Sequence, residues 1–366
     1  MAEAAPQAQI RVGISGWRYE PWRGVFYPDS LPHRLELQHA SSIFSTIEIN
    51  GSFYSLQSPL SWRQWYDATP DDFTFAVKGP RFITHMLRLK EPLKPLANFL
   101  ASGLLALRHK LGPILWQFPP NLKFNPERVA AFLELLPRDT EAALKIARRR
   151  DARMHGRSVL SIDRPRPLRH AMEIRNESFL DERFIGLLRK YNVALVIAET
   201  ARLWPMPRDV TADFMYLRLH GDQEIYRSGY RPAAIARWAE RIKQWHAGGE
   251  PEDMPEGAIQ VTAAPMSPAP KGRDVFCYFD NTDVKLRAPH DAQALMRRLG
   301  LTASTRGLSP LELNEDSGQQ IAGVAVSRTR TTNRVVASRT RPTTPARRAT
   351  GRAKVQNSAT GRDPRD

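Results

Sequence analysis

DFMYLRLHG, residues 213–221, reads as one strand with two unlike faces. Met215, Leu217 and Leu219 are apolar, and Tyr216, Arg218 and His220, which alternate with them, are polar. Strand side chains point to opposite faces with period two. One face therefore meets an apolar layer while the other carries a phenol, a guanidinium and an imidazole. The alternation returns in TIEIN (46–50), where Ile47 and Ile49 alternate with Glu48 and Asn50, and in TFAVK (74–78), where Phe75 and Val77 alternate with Ala76 and Lys78. HAMEIR (170–175) sets Met172 and Ile174 against Glu173 and Arg175, and DVFCYFDN (274–281) sets Val275, Cys277 and Phe279 against Tyr278 and Asp280. Strands of an open, doubly wound sheet meet helices on both faces and read as continuous apolar runs. A charged face on strand after strand calls for an enclosed lumen.

RVGIS (11–15), PILWQF (113–118) and VALVIAE (193–199) bring the strands to eight. Helical patterns lie between nearly all of them, over Leu35–Phe44, Leu60–Ala68, Leu96–Lys110, Pro126–Leu136, Asp181–Tyr191, Ala233–His246 and, after the last strand, Ala292–Leu299. Between the sixth and seventh strands LWPMPRDVT (203–211) offers no helix. Ala147–Arg169 reads as irregular and basic, and the Pro- and Gly-rich Gly248–Gly272 as an insertion loop. Eight strands separated by helices in about 300 residues is the count of an α/β TIM (β/α)8-type barrel, a single domain over residues 11–300.

The chain has 366 residues, 42% of them hydrophobic and 25% charged, with a net charge of +16. Residues 301–366 hold 12 Lys and Arg against 5 Asp and Glu, and no His or aromatic residue. Such a segment buries too little apolar surface to offset ordering entropy and is expected to be disordered. Its dispersed arginines suit loose, salt-sensitive contact with nucleic-acid phosphates, or else simply a solvated extension. No run approaches the ~18 apolar residues of a membrane span. The N-terminus lacks a basic region followed by an apolar run, so a cytoplasmic location is expected. The single cysteine, Cys277, excludes an internal disulfide framework and a zinc ribbon, and its place on an apolar strand face makes it a core thiol.

The lumen set is Ser15, Glu48, Asn50, Lys78, Gln117, Glu173, Arg175, Arg218, His220 and Asp280. Almost all fall at the C-terminal ends of their strands, where TIM barrels carry their active sites. Three carboxylates balance three cations there. One reading is an ion network that merely fills the lumen. The other is an enzyme doing acid–base chemistry on a polar, sugar-like or phosphorylated metabolite. Glu48 and Glu173 would then divide the acid and base roles, while Lys78, Arg175 and Arg218 stabilise negative charge. His220 admits three readings: general base, metal ligand or hydrogen-bonded lumen residue. A metal version would recruit Glu173, His220 and Asp280, although no metal or cofactor is assigned. Around the mouth, Trp17, Tyr19 and Tyr54 are candidates to contact a flat or ring-shaped ligand. His85, in the loop after the third strand, and Asn281, beside Asp280, complete the candidate binding residues. The alternative function is a non-catalytic ligand-binding protein whose basic tail contacts nucleic acid. P-loop, dinucleotide, H-E-x-x-H and G-x-S-x-G signatures are missing.

GISGWRYEPWRGVFYP (13–28), FSTIEINGSFYSLQSP (44–59), FAVKGPRFITH (75–85), GPILWQFPPNL (112–122), LRHAMEIRNESF (168–179), YLRLHG (216–221) and FDNTDVKLRAPHDAQAL (279–295) resemble, in order, the motifs of the YecE-like family, long labelled domain of unknown function 72. The resemblance covers about Arg11 to Gly300 and implies a TIM barrel. It supplies no activity. The chain departs from the family at Gly51, where Ser or Asn is common, and in the Pro-rich insertion before the eighth strand.

Removing the residues beyond about Leu311 is expected to leave the melting temperature unchanged, and limited proteolysis to cut there first. A truncated chain that melts far lower would assign the segment to the fold. Any nucleic-acid binding by the segment should weaken steeply with salt, show little sequence preference and vanish on truncation.

Overall fold

The alternating strands close on themselves. The computed structural model describes residues 8–225, 228–267, 269–280 and 287–303. Its eight parallel strands are β1 (Ile10–Ser15), β2 (Thr46–Ile49), β3 (Thr74–Lys78), β4 (Leu111–Gln117), β5 (His170–Glu173), β6 (Ala194–Glu199), β7 (Phe214–Leu219) and β8 (Asp274–Phe279). Each pairs with its neighbours in chain order, and β1 pairs with β8 to complete a barrel. Asn281 and residues 304–366, the greater part of the segment expected as a disordered tail, lie outside the described residues.

Parallel neighbours need a crossover, and helices supply most of them. They are α1 (Glu36–Ile43), α2 (Pro59–Asp67), α3 (Leu93–Ala101), α4 (Pro126–Leu135), α5 (Thr140–Ala147), α6 (Glu182–Lys190), α7 (Pro232–His246) and, after the last strand, α8 (Arg287–Leu299). The local sequence starts several of them. Ser58, Asn125, Asp139 and Asp181 each accept a backbone N–H from the first turn of α2, α4, α5 and α6. Pro59 and Pro126 occupy first-turn positions that require no N–H donor. As expected, β6 and β7 are joined without a helix. Met206–Pro207 in that link pairs in parallel with Ala258–Ile259 of the insertion.

Two expectations need correction. The helix expected over Leu96–Lys110 is α3 plus a separate 3-10 segment, Leu104–Lys110. They part at Gly103, whose φ of 110° stops the helix and where a Cβ would lie 2.8 Å from the Trp62 ring. The irregular basic stretch is preceded by α5, hidden in the sequence by its short length of 8 residues.

The period-two phase holds around the barrel. Val12, Ile14, Ile47, Ile49, Phe75, Val77, Trp116, Met172, Leu217 and Cys277 join the core shared with the helices. The opposite faces form a second cluster inside the lumen, with Ala76, Leu115, Ala171, Val196, Phe214, Tyr216, Phe276 and Tyr278. Small residues on β3, β5 and β6 face ring pairs from β7 and β8: Phe214 and Phe276 at 6.0 Å, and Tyr216 and Tyr278 at 5.1 Å. Arg169, paired with Asp274, lies over the Phe214 ring, while Arg11 lies over Phe276. The lower lumen is thus packed, and the polar residues collect above it. Cys277 is fully buried, and burial pushes its thiol well above the usual range. Among the described residues no helix is long and apolar enough to cross a membrane.

Gly13 marks the tightest approach in the wall, because a Cβ there would lie 1.8 Å from the Thr46 carbonyl oxygen. Gly13→Ala is expected to destabilise by about 1–3 kcal/mol or more, as overpacking does. Urea unfolding checks this, and an unchanged midpoint would mean that β1 and β2 do not approach as described.

Candidate functional site

Above the tyrosine layer the lumen is organised around one guanidinium. Arg218, on β7 and fully buried, donates through Nε to Glu48 Oε2 at 3.1 Å and through Nη2 to Glu48 Oε1 at 2.9 Å. Nη1 donates to Glu173 Oε2 at 2.8 Å, and Nη2 also reaches Asp280 Oδ2 at 2.6 Å. Carboxylates from β2, from β5 and from just beyond β8 therefore converge on one planar cation. Burial disfavours its charge, but Glu48, Asp280 and Glu173 outweigh that and push Arg218 well above its usual value.

Each carboxylate has further partners. Glu48 accepts from Ser15 Oγ at 2.5 Å and from Tyr216 Oη at 2.6 Å, and it reaches no solvent. Asn50 Nδ2 donates to Ser15 Oγ at 2.9 Å, while Asn50 Oδ1 is buried with no hydrogen-bond partner among the described residues. Glu173 Oε1 accepts from Gln117 Nε2 at 2.8 Å and Arg175 Nε at 3.0 Å. Burial alone would raise Glu173, but Arg218 and then Arg175 hold it well below the usual carboxylate range. Asp280 behaves likewise: burial opposes ionisation, while Arg218 and then His220 enforce it.

His220 is fully buried, and its pKa is lowered by that burial and then by Arg218. Arg218 Nη1 faces Nε2 at 3.3 Å and can only donate, so Nε2 accepts. The ring proton then sits on Nδ1, 3.2 Å from Asp280 Oδ2. Among the described residues no three His, Cys, Asp or Glu side chains are arranged to hold a metal ion. In place of the metal trio read from sequence, Glu173, His220 and Asp280 surround a guanidinium.

Lys78, at the end of β3, is 8% exposed. Its ammonium lies 4.2 Å from the Phe53 ring centroid and, among the described residues, makes no ion pair or hydrogen bond. A cation–π contact supplies about 0.5–2 kcal/mol, less than the several kcal/mol needed to desolvate a charge. Burial first, then Arg218, accordingly lowers Lys78 to about 8. His85 packs edge-on against the same Phe53 ring and accepts or donates a 2.8 Å bond with Thr84 Oγ1. Burial, then Arg175 and Lys78, lowers it to about 4, so it is neutral at pH 7.

Arg175 is held by Glu173 and stacks 3.7 Å from the centroid of Trp204, while its terminal nitrogens make no hydrogen bond among the described residues. Trp204 also lines a cavity of about 480 Å3 bounded by the loop after β6, α7 and the insertion. The aromatic candidates divide. Tyr19 closes over β1, its hydroxyl donating to the Ser15 carbonyl at 2.6 Å. Trp17 packs edge-on against Trp65 in the outer core. Tyr54 is 68% exposed on the rim, against Phe53 and Arg81.

Three contributors were missing from the candidate binding set. Tyr216 shares the parity of Arg218 and was legible on that ground. Phe53 under Lys78 and Trp204 under Arg175 carry no local signal in the sequence that pairs them with those cations.

The sequence profile of the family described as Protein of unknown function DUF72 matches residues 11–315. The chain belongs to this family. It is 29% identical to the UPF0759 protein YunF of Bacillus subtilis (strain 168) over 126 residues, 33% of this chain and 44% of that protein. The chain thus spans under half the length of that relative. It is 22% identical to the UPF0759 protein YecE of Escherichia coli (strain K12) over 243 residues, 65% of this chain and 82% of that protein. The crystal structure of a DUF72 family protein from Thermotoga maritima matches with a TM-score of 0.59 at 22% identity, covering 80% of this chain and 100% of that one. Another from Enterococcus faecalis gives 0.57 at 17% identity, covering 81% and 97%. These likenesses are ones of fold.

Arg218→Met strands three carboxylates in the lumen and is expected to cost about 3–5 kcal/mol, as loss of one partner of a buried ion pair does. Glu173 and Asp280 titrate lower in the folded chain than in the unfolded one. Their stabilisation is therefore present above the ordinary carboxylate pKa of about 4 and is lost as the pH falls through and below it. Chemical denaturation between pH 7 and 3 should show that decline, and Glu173→Gln should make it shallower. An Arg218→Met protein as stable as wild type would remove the ion cluster from any structural role.

Proposed function

We propose that the barrel mouth is the active site of an enzyme doing acid–base chemistry on a small polar metabolite, sugar-like or phosphorylated. The observation that carries this reading is Lys78, a buried amine with no ion-pair partner among the described residues, beside an ion cluster in which every carboxylate is already engaged. With a pKa of about 8, it exchanges its proton near neutral pH, the property general acid–base catalysis needs.

The roles divide by access. Glu48 and Glu173 were the acid and base candidates, but their oxygens are saturated by Arg218, Ser15, Tyr216, Gln117 and Arg175. In this reading they are positioning residues, and proton transfer passes to Lys78. The terminal nitrogens of Arg175 receive an anionic or hydroxyl group of the ligand. Asp280, whose side chain is 13% exposed, and the orphaned Asn50 Oδ1 offer acceptors to ligand hydroxyls. His220 orients Asp280, and neutral His85 borders the amine. One buried thiol and, among the described residues, no helix long and apolar enough to cross a membrane suit the cytoplasm, where we place the protein.

The second reading is a non-catalytic binding protein with the same mouth, its basic residues beyond 300 touching nucleic acid. A thermal-shift screen of sugar phosphates and hydroxy acids, followed by NMR of each binder with the protein, separates the two. Turnover is expected. Lys78→Met should lower kcat by about 10²–10⁴-fold, the usual worth of an acid–base group. Arg175→Met should act mainly on KM. Binding without turnover would establish the second reading, and unchanged kcat in Lys78→Met would remove the lysine from the chemistry.

A further inference from the structure

We propose that Lys78 is an imine-forming nucleophile, and that the substrate class of this site is a small aldehyde or ketone carrying a carboxylate or phosphate. This rests on the acid–base reading of the same mouth and deepens it by naming the bond that forms.

The chain contains its own control. Lys110 is also buried, at 2% exposure, and also lies over a ring, 4.3 Å from the Tyr66 centroid. Its ammonium donates to the Tyr66 carbonyl at 2.6 Å, the Thr69 carbonyl at 2.8 Å and Thr69 Oγ1 at 3.3 Å. That is a structural lysine with all three donors used. Lys78 is also buried, at 8% exposure, and has matching aromatic support, but among the described residues it has no such acceptors. It also stands where TIM barrels do chemistry, at the C-terminal end of a strand. With no ion pair or hydrogen bond among the described residues and a pKa of about 8, the amine is neutral in part near pH 7, and only the neutral form has a lone pair to give to a carbonyl carbon.

The groups that face it set that state. Arg218 from β7 opposes its charge, while Glu48 from β2, Glu173 from β5 and Asp280 beyond β8 favour it, and burial dominates. The three carboxylates are drawn onto Arg218, so none forms an ion pair with the amine. His85 feels the charge of both Arg175 and Lys78, so both cations lie near this one imidazole. A ligand whose anionic end meets the terminal nitrogens of Arg175 has its reactive carbon directed to Lys78.

The step balances without a cofactor. The lone pair of neutral Nζ adds to the carbonyl carbon, and the C–O π pair moves to oxygen, which takes the proton released by nitrogen. The carbinolamine hydroxyl then leaves as water after accepting one proton from solvent, and the nitrogen lone pair closes the C=N bond. The product is a protonated imine. A hydride reductant converts it to a stable secondary amine.

The test uses the full chain, incubated with pyruvate or with glyceraldehyde 3-phosphate and then treated with sodium borohydride. Intact mass spectrometry and peptide mapping are expected to find one adduct per chain, on Lys78, formed faster as the pH rises through about 8. Lys78→Met and Lys78→Arg, with circular dichroism matching wild type, should form none. Arg175→Met should slow labelling by roughly tenfold, the loss of one charge-assisted contact. Mapping on wild type locates the adduct even where a variant fails to fold. No adduct, or adducts spread over exposed lysines and retained in Lys78→Met, would overturn the inference. If metabolites still bind and turn over in an untrappable enzyme, only the covalent step falls. If nothing binds and nothing is trapped, the acid–base reading falls with it.

Discussion

A guanidinium buried among three carboxylates constrains the upper half of this barrel. Removing one such ion from water costs several kcal/mol, and its attraction to partners repays this only with good geometry and satisfied hydrogen bonds. Arg218 meets that condition. It engages Glu48 through two nitrogens and adds Glu173 and Asp280, with distances from 2.6 to 3.1 Å. The partners come from β2, from β5 and from just beyond β8, so the cluster forms only when the barrel is closed. Slipping any of these strands by one residue would exchange an apolar side chain for a charged one against the helices.

That cluster also determines which groups remain available. Fully engaged carboxylates are good at fixing their neighbours, and Arg218 holds Glu173 and Asp280 ionised. Glu173 holds Arg175 by Nε and leaves its terminal nitrogens outward, while Trp204 supports the flat face of the guanidinium. Asp280 is held on one oxygen by Arg218. Lys78 is left out of the pairing, and its charge is disfavoured by burial and by Arg218. The same arrangement that stabilises the lumen thus leaves one amine outside the ion pairs, and the proposed chemistry rests on that amine. Filling a lumen with charge and building a site in it are here two consequences of one geometry.

Much of this was legible before any fold. The parity of Glu48, Lys78, Glu173, Arg218 and Asp280 within their strands is a local backbone property, and it put all of them on the lumen side. Helix starts at Ser58, Asn125 and Asp181 are equally local. Less legible were α5, too short for a clear period, and the break at Gly103, set by the approach of Trp62. Trp17 shows the limit for the mouth aromatics. Its composition suits a ligand platform, and it was taken by Trp65 instead.

The amino-acid sequence by itself determined the number of strands, their alternation and the list of groups facing inward, because these follow from period two within a few residues. Only the tertiary structure decided who pairs with whom. Glu48 and Arg218 are 170 positions apart, and nothing in either segment says that Arg218 will meet three carboxylates while Lys78 meets none. Pairing depends on closure, strand stagger and the side-chain lengths available at each level of the lumen. The same five charges, closed with another stagger, would meet in other combinations.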